Sequence, residues 1–414
     1  MKTIIIFLAI LVTFSNVNSQ WTEYSSGIPS SVFVQSLHSS GAILYAGTSN
    51  GVFLSANNGE SWSQILSNTG TIQSITSQGS YVYAGSSGLG VYITSNGGTS
   101  WSTALGSVTV WSLDTYANNV YAVVWADRVW KTTNSGALWQ PISPGGNVKS
   151  VAVYEPYIFA GFQNYTTGGN GGVHYSTNNG ANWSIAIPGK EVKVVICRDE
   201  FVVAGALDDT SRSGGVYVSQ DHALNWVRIS LDSVPVQALE ILSNSVIAGI
   251  DNHYYPGFQN YAGVWVSTNK GQSWAQRNEG LIGLTNRAIA AIKIHSGYAF
   301  VAVSGGKVYR RPVDQIIGIR NISSSVPDKL TLDQNYPNPF NSSTKIRFQI
   351  SLRSEVSMTV YDISGKKVDA PVNETLSPGS YELTYDASML PSGIYFYELR
   401  MGDLMHVNKM TVLK

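Results

Sequence analysis

Hydrophobic and polar positions alternate in short bursts along this chain. In GVFLS (51–55) and GVYIT (90–94), apolar and smaller residues take turns, the period of a strand with two unlike faces. These bursts belong to a larger repeat. An apolar run is followed by a short turn, an aromatic-Ala-Gly strand, a glycine-rich loop and another strand. The unit closes on the string S/T-x-N/D-x-G-x-x-W. Clear copies are SANNGESW (55–62), TSNGGTSW (94–101), TTNSGALW (132–139), STNNGANW (176–183) and STNKGQSW (267–274). A sixth, SQDHALNW (219–226), carries Ala223 at the glycine position. The closing tryptophans, Trp62, Trp101, Trp139, Trp183, Trp226 and Trp274, are spaced by 39, 38, 44, 43 and 48 residues.

A seventh unit keeps the strands but not the closing string: residues 289–311 align with residues 72–94. The missing outer strand is expected from the other end of the chain, where QWTEYSSGIP (20–29) matches the segments that follow the other tryptophans. A period of roughly 40 residues with about four strands per unit is the signature of a propeller blade. The expected fold is therefore all-β: a seven-bladed β-propeller closed by its N-terminal strand.

The closing string resembles the Asp-box, or BNR repeat, found on the hairpin between the third and fourth strands of propeller blades. The chemistry suits such a hairpin, since Asn and Asp bond nearby backbone and Gly supplies a positive φ. The acidic position is Asn in five copies and Asp only at Asp221, which speaks against a calcium-binding carboxylate cluster. The resemblance spans residues 20 to about 315. It reaches sialidases, xyloglucan-cleaving hydrolases, sortilin-type receptors and photosystem assembly factors, so it implies an architecture and not an activity.

After Pro312 the repeat stops. Residues 316–330 read as a linker, and residues 331–414 as a small Ig-like β-sandwich with strands such as KIRFQI and IYFYEL and turns at SGK, SPGS and LPSG. NYPNPFN (335–341), VYDISGKKV (360–368), LPSGIYFY (390–397) and a terminal KM-x-x-x-K closely resemble the type A C-terminal sorting domain of type IX secretion, which overlaps in fold with FlgD-type Ig-like modules. The motif residues are Tyr336, Pro337, Asn338, Pro339, Phe340, Gly393, Tyr395, Lys409 and Lys414. Tyr385 stands where many relatives have Trp. The resemblance implies passage across the outer membrane by the type IX machinery, then release or surface attachment.

The N-terminus agrees with export. Lys2, the apolar run Ile4 to Val12, and the small residues Val17 and Ser19 read as a signal peptide over residues 1–19. No later segment has about 18 consecutive apolar residues, so no membrane span is expected. Charged residues make up 13% of the chain, and Lys+Arg and Asp+Glu number 26 each. No net field draws it toward nucleic acid. The single cysteine, Cys197, is expected to be a small buried strand residue.

No complete catalytic set is visible. A sialidase would need an arginine triad with a Tyr–Glu pair and an acid Asp. Arg228 and Arg277 instead follow closing tryptophans on outer strands, and no Arg-Ile-Pro-like motif occurs near the start. Glu155, Asp208 and Asp251 are carboxylates whose mutual distances the sequence leaves open. The six histidines lack metal-ligand spacing, and neither metal nor cofactor is expected. Enlarged loops at 161–172, 205–215 and 249–263, with VVWADR (123–128), gather Trp125, Tyr165, His253, Tyr254, Tyr255, Phe258 and Tyr261 beside Asp208, Asp209, Arg212 and Asp251. Aromatic rings among amides and carboxylates suit stacking on a sugar or gripping a protein. The expected role is a secreted or surface binding scaffold for glycan or protein. The alternative is a glycoside hydrolase or sialidase-like enzyme acting on extracellular polysaccharide.

Overall fold

A computed structural model describes residues 20–143, 145–163, 171–207, 214–229, 231, 234–250, 262–281, 289–303, 306–387 and 390–414. Residues 1–19, the expected signal peptide, lie outside them. Among the described residues the protein is all-β, with nine antiparallel four-stranded sheets and one four-residue helix.

Seven of these sheets fill residues 22–312. Six run as simple meanders, the first being Val34–Ser40, Ile43–Thr48, Gly51–Ser55 and Ser63–Leu66. The seventh is made from both ends of that region: Ile289–His295, Tyr298–Val303 and Lys307–Pro312 are joined by Thr22–Glu23, with Thr22 opposite Arg310. The innermost strands touch their neighbours in sequence order, and the seventh touches the first, so the sheets form a closed ring.

Small residues and bulges set the spacing of this ring. Each second strand is buried along nearly its whole length, because sheets pack on both of its faces. Gly47, Gly85, Gly161, Gly205 and Gly249 sit in these strands. A Cβ at any of them would come within 2.8 Å of a side chain opening the next inner strand: Ile72, Val110, Val192, Val236 or Ile289. Glycine is required there for close approach of two sheets. Each inner strand carries a bulge beside that contact. Bulge serines reach across to the next sheet: Ser74 Oγ accepts from Leu113 N (3.0 Å), Ser112 Oγ from Val151 N (3.3 Å) and Ser150 Oγ from Val195 N (3.1 Å).

The six recurrent hairpins share one geometry. In the first, Ser55 Oγ donates to Asn57 Oδ1 (2.9 Å) and accepts from Gly59 N (2.9 Å), while Ser61 N donates to Asn57 Oδ1 (3.0 Å). Asp221 does the same work in the sixth, bonded to Ser219 and to Asn225 N. In three of them the indole ties the hairpin to the preceding sheet. Trp62 Nε1 donates to Tyr24 O, Trp101 Nε1 to Ile65 O and Trp183 Nε1 to Ile142 O. Trp21 plays this part for the seventh sheet. It is 2% exposed, and its Nε1 donates to Arg277 O on the edge of the sixth sheet.

The other two sheets enclose a second core. One is Ile319–Ser323, Gly379–Asp386, Ser343–Ile350 and Thr331–Leu332; the other is Lys367–Leu376, Ser354–Asp362, Gly393–Met401 and Leu404–Val412. Ser343–Ile350 alternates exposed and buried residues without a break, and its inward Ile346, Phe348 and Ile350 meet Met358, Val360 and Tyr397 from the facing sheet. The expected linker is structured at its start: the helix Asp314–Ile317 caps the ring, and Ile319–Ser323 is an edge strand of the second unit. Ile316 belongs to the ring's core, and Ile317 packs against both cores. Thr268 Oγ1 donates to Pro371 O (3.0 Å) across the junction. Asn269 of the STNKGQSW hairpin is 4% exposed there, whereas Asn57 of the first hairpin is exposed.

Candidate functional site

The turns between second and third strands lie at one end of the ring. Of the residues expected to bind a ligand there, Tyr165, Asp208, Asp209, Arg212, Asp251, His253, Tyr254, Tyr255, Phe258 and Tyr261 lie outside the described residues. Trp125 is described. It sits between Asn119–Val124 and Val129–Thr132 with 54% of its surface exposed. Its turn is fixed from several directions. Trp125 N donates to Thr109 O (2.9 Å), Val124 N to Arg128 O (3.0 Å) and Gly146 N to Asp127 O (2.7 Å). The Asp127 carboxylate accepts from Arg128 Nε (2.7 Å) and Trp130 Nε1 (2.8 Å). A flat apolar ring is thus held out to solvent on a rigid support.

Two residues along from Thr109, the bulge residue Trp111 forms a floor for Lys149, whose Nζ stands 3.4 Å from the ring centroid. Desolvation pushes the Lys149 ammonium down to about 8; Glu191 opposes that shift and Lys193 adds to it. Glu191 accepts from Gln163 Nε2 (2.6 Å). Sequence reasoning passed over Trp111, Lys149 and Lys193. Their common position at successive bulges, in VWSL, VKSV and VKVV, is the signal that could have found them.

Below this mouth the inner strands line a central cavity of about 500 Å³. Lys293 and Glu240, from adjacent inner strands, pair on its wall at 2.9 Å. His38 Nε2 bonds Ser77 Oγ (2.8 Å), and burial, helped by the Lys293 charge, pushes His38 down to about 3, so it stays neutral. Asp114 is pushed up to about 6 by burial, against backbone donors from Thr115 and Val153. A carboxyl raised on folding holds its proton longer in the native state. Native stability conferred this way is present near pH 4 and lost as pH rises through about 6. The urea midpoint of the wild type, relative to Asp114→Asn, is therefore expected to fall between pH 4 and pH 6.5; parallel curves for the two proteins would overturn this. Cys197 also lines the cavity and is half-buried rather than fully so; burial pushes its thiol up, away from the reactive thiolate.

Of the candidate carboxylates, Glu155 is engaged between two sheets. It accepts from Asn119 Nδ2 (2.6 Å), Lys131 Nζ (3.1 Å) and the Tyr121 hydroxyl. Burial raises its carboxyl, but these donors outweigh that and hold it below the ordinary value. Arg277 Nη1 and Nε are spent on the carbonyls of Gln276 and Ile316, and Arg228 Nη2 on Gly214 O. Among the described residues no group of three His, Cys, Asp or Glu side chains could hold a metal ion.

The C-terminal motif residues converge on the last strand. Asn335 N donates to the Tyr397 hydroxyl (2.8 Å), which itself donates to Asp333 O (2.9 Å). Asn335 Nδ2 and Thr344 Oγ1 both reach Pro337 O. Asn338 Oδ1 accepts from Thr411 N (2.9 Å), and Phe340, buried, exchanges backbone bonds with Thr411 and Leu413. Tyr395 is buried, with its hydroxyl on Pro391 O (3.0 Å), and Gly393 opens its strand. Tyr336 is 80% exposed, and Pro337, Pro339, Lys409 and Lys414 also face solvent. The motif is thus a staple for the terminal strand, with an outer face left readable. Tyr385 fills its Trp-like position at the core. Asn335, Thr344 and Tyr397 carry the staple and were missing from the expected set.

Residues 334–413 match the family described as the secretion system C-terminal sorting domain. The protein is a type IX secretion cargo. This cargo is secreted or held at the outer-membrane surface, and among its described residues no helix is long and apolar enough to cross a membrane. No curated protein sequence matches the chain.

Solved structures resemble the cargo in fold. An enzyme of glycoside hydrolase family 74 from Niastella koreensis aligns with TM-score 0.57 and 13% identity, over 95% of this chain and 75% of that one. YCF48 from Cyanidioschyzon merolae aligns with TM-score 0.55 and 13% identity, over 71% of this chain and 99% of that one. PorZ, an essential surface component of the type IX secretion system of Porphyromonas gingivalis, aligns with TM-score 0.51 and 13% identity. That match covers 92% of this chain but only 59% of PorZ. At such identities the likeness is one of β-propeller fold alone.

Proposed function

We propose that the cargo is a seven-bladed Asp-box propeller with an Ig-like sorting module, and that its propeller is a non-catalytic binding scaffold for an extracellular glycan or surface protein. The observation that carries this reading is Trp125, a half-exposed indole on a turn braced by Asp127, Arg128 and Trp130. Rigid aromatics presented to solvent are what recognition surfaces use. The aromatic loops bearing Tyr165, His253, Tyr254, Tyr255, Phe258 and Tyr261, with Asp208, Asp209, Arg212 and Asp251, belong to the same proposed face. The engagement of Glu155, Arg228 and Arg277 in packing favours binding over hydrolysis.

The test is a glycan array and a surface-protein pull-down with the chain from Gln20 onward. Trp125→Ala is expected to weaken whatever binds roughly tenfold, the usual scale for truncating an aromatic anchor, with an unchanged unfolding midpoint. Binding untouched by Trp125→Ala and by Tyr254→Ala/Tyr255→Ala would sink the reading. Turnover of a glycan, abolished by replacing Asp208 or Asp251, would replace it with the hydrolase.

A further inference from the structure

The geometry points to an acidic saccharide as the ligand of this face, with the Lys149 ammonium meeting a sugar carboxylate above Trp111. This rests on the binding-face reading and narrows it.

Lys149 is an unusual surface lysine. A solvated lysine extends away from the protein and keeps its hydration. Here the ammonium is folded down onto an indole, 3.4 Å from its centroid. Among the described residues it has no hydrogen bond or ion pair. Glu191, the nearby carboxylate, is already bonded to Gln163. The ammonium is therefore positioned, partly dehydrated and left with donors to give. Its lowered affinity for a proton, to about 8, reports the same dehydration. A carboxylate arriving from outside would supply the acceptor, in surroundings where a charge-assisted bond is stronger than in open water.

The surroundings select the rest of the ligand. Trp125 N is bonded to Thr109 O, and Thr109 lies two residues before the bulge residue Trp111. Two indoles, one exposed and one beneath the ammonium, thus arise from neighbouring backbone. Indole faces stack on the C–H faces of pyranose rings. Local charge is modest: Lys149 and Lys193 are opposed by Glu191, and across the adjoining turn Arg128 is paired with Asp127. The whole chain is neutral. Such a balance fits one carboxylate per sugar ring better than a dense polyacid, which would call for a broad basic patch.

The experiment compares polygalacturonate with its fully methyl-esterified form, the same backbone with and without carboxylates, using the chain from Gln20 onward. Poly-glutamate serves as a charge-only control. Binding to polygalacturonate, at least tenfold weaker binding to the ester, and at least tenfold loss in Lys149→Gln at pH 7 would support the inference. Wild-type binding should also weaken between pH 7 and pH 9 as Lys149 loses its proton. Lys193→Gln should leave that fall in place. Equal binding of acid and ester would overturn the inference and leave the glycan face standing. Equal binding of poly-glutamate, or of Lys149→Gln, would also overturn it. If polygalacturonate, alginate and polysialic acid all fail to bind, the inference falls, and the Trp125→Ala comparison on array and pull-down decides the wider reading separately.

Discussion

Trp21→Ala is expected to destabilise the propeller by about 3–5 kcal/mol, the usual cost of truncating a fully buried aromatic. The indole is 2% exposed, packs with Ile289, Val301 and Tyr309, and donates from Nε1 to Arg277 O. It also secures Thr22–Glu23 against Lys307–Pro312, the pairing that completes the seventh sheet. Trp21→Phe keeps most of the apolar area but loses the donor, leaving Arg277 O unbonded by the indole. That variant should cost a smaller amount, about 1–2 kcal/mol more than its lost area alone. Urea unfolding followed by tryptophan fluorescence measures both. A Trp21→Ala protein within about 1 kcal/mol of wild type would show that the ring closes without this anchor.

The second large effect is on export. Tyr397 is fully buried at the centre of the sorting domain, and its hydroxyl links Asn335 N to Asp333 O. Tyr397→Ala removes a large core side chain and the pin of the NYPNPFN staple, for about 3–5 kcal/mol. A unit of this size has one small core, and such a loss is comparable to a typical domain's whole stability. The expected result is cargo retained in the periplasm or degraded, with the surface and medium fractions emptied. Tyr397→Phe loses only the hydroxyl and should cost about 1–2 kcal/mol, with export reduced but present. Immunoblots of cell fractions separate these outcomes. Normal delivery of Tyr397→Ala would mean that the secretion machinery reads the exposed residues of the motif without needing the fold beneath them.

Much of this architecture could be read from residue order. The closing string carries its own geometry, since Ser55, Asn57 and Gly59 satisfy one another within five residues. The alternation of Ser343–Ile350 likewise shows its buried face directly. Trp21 was legible because QWTEY echoes the segments after the other tryptophans. Other features depend on contacts between distant residues and leave little trace in a linear pattern. Ile319–Ser323 runs into three consecutive serines and lacks a clear alternating pattern, and it is a strand because Gly379–Asp386 offers it an edge. Trp111 and Lys149 are 38 positions apart and meet only because two sheets abut. Asn335 and Tyr397 lie within motifs that were recognised, yet their bond joins segments 62 residues apart.

The seventh sheet has a consequence for timing. Its outer strand comes from the first residues after the expected signal peptide, and its partners come from the far side of the chain. The Trp21–Arg277 bond spans 256 residues and the Glu23–Lys307 pair spans 284. The segment synthesised first is thus the last to be used, because nothing can pair with it until six sheets' worth of chain has followed. Such long-range closure is slow relative to local hairpin formation. The newborn cargo passes through a stage in which six sheets can form while both flanking edges stay open. The final latch then acts as a register of completeness: a chain cut short before Lys307 has no partner for its own beginning.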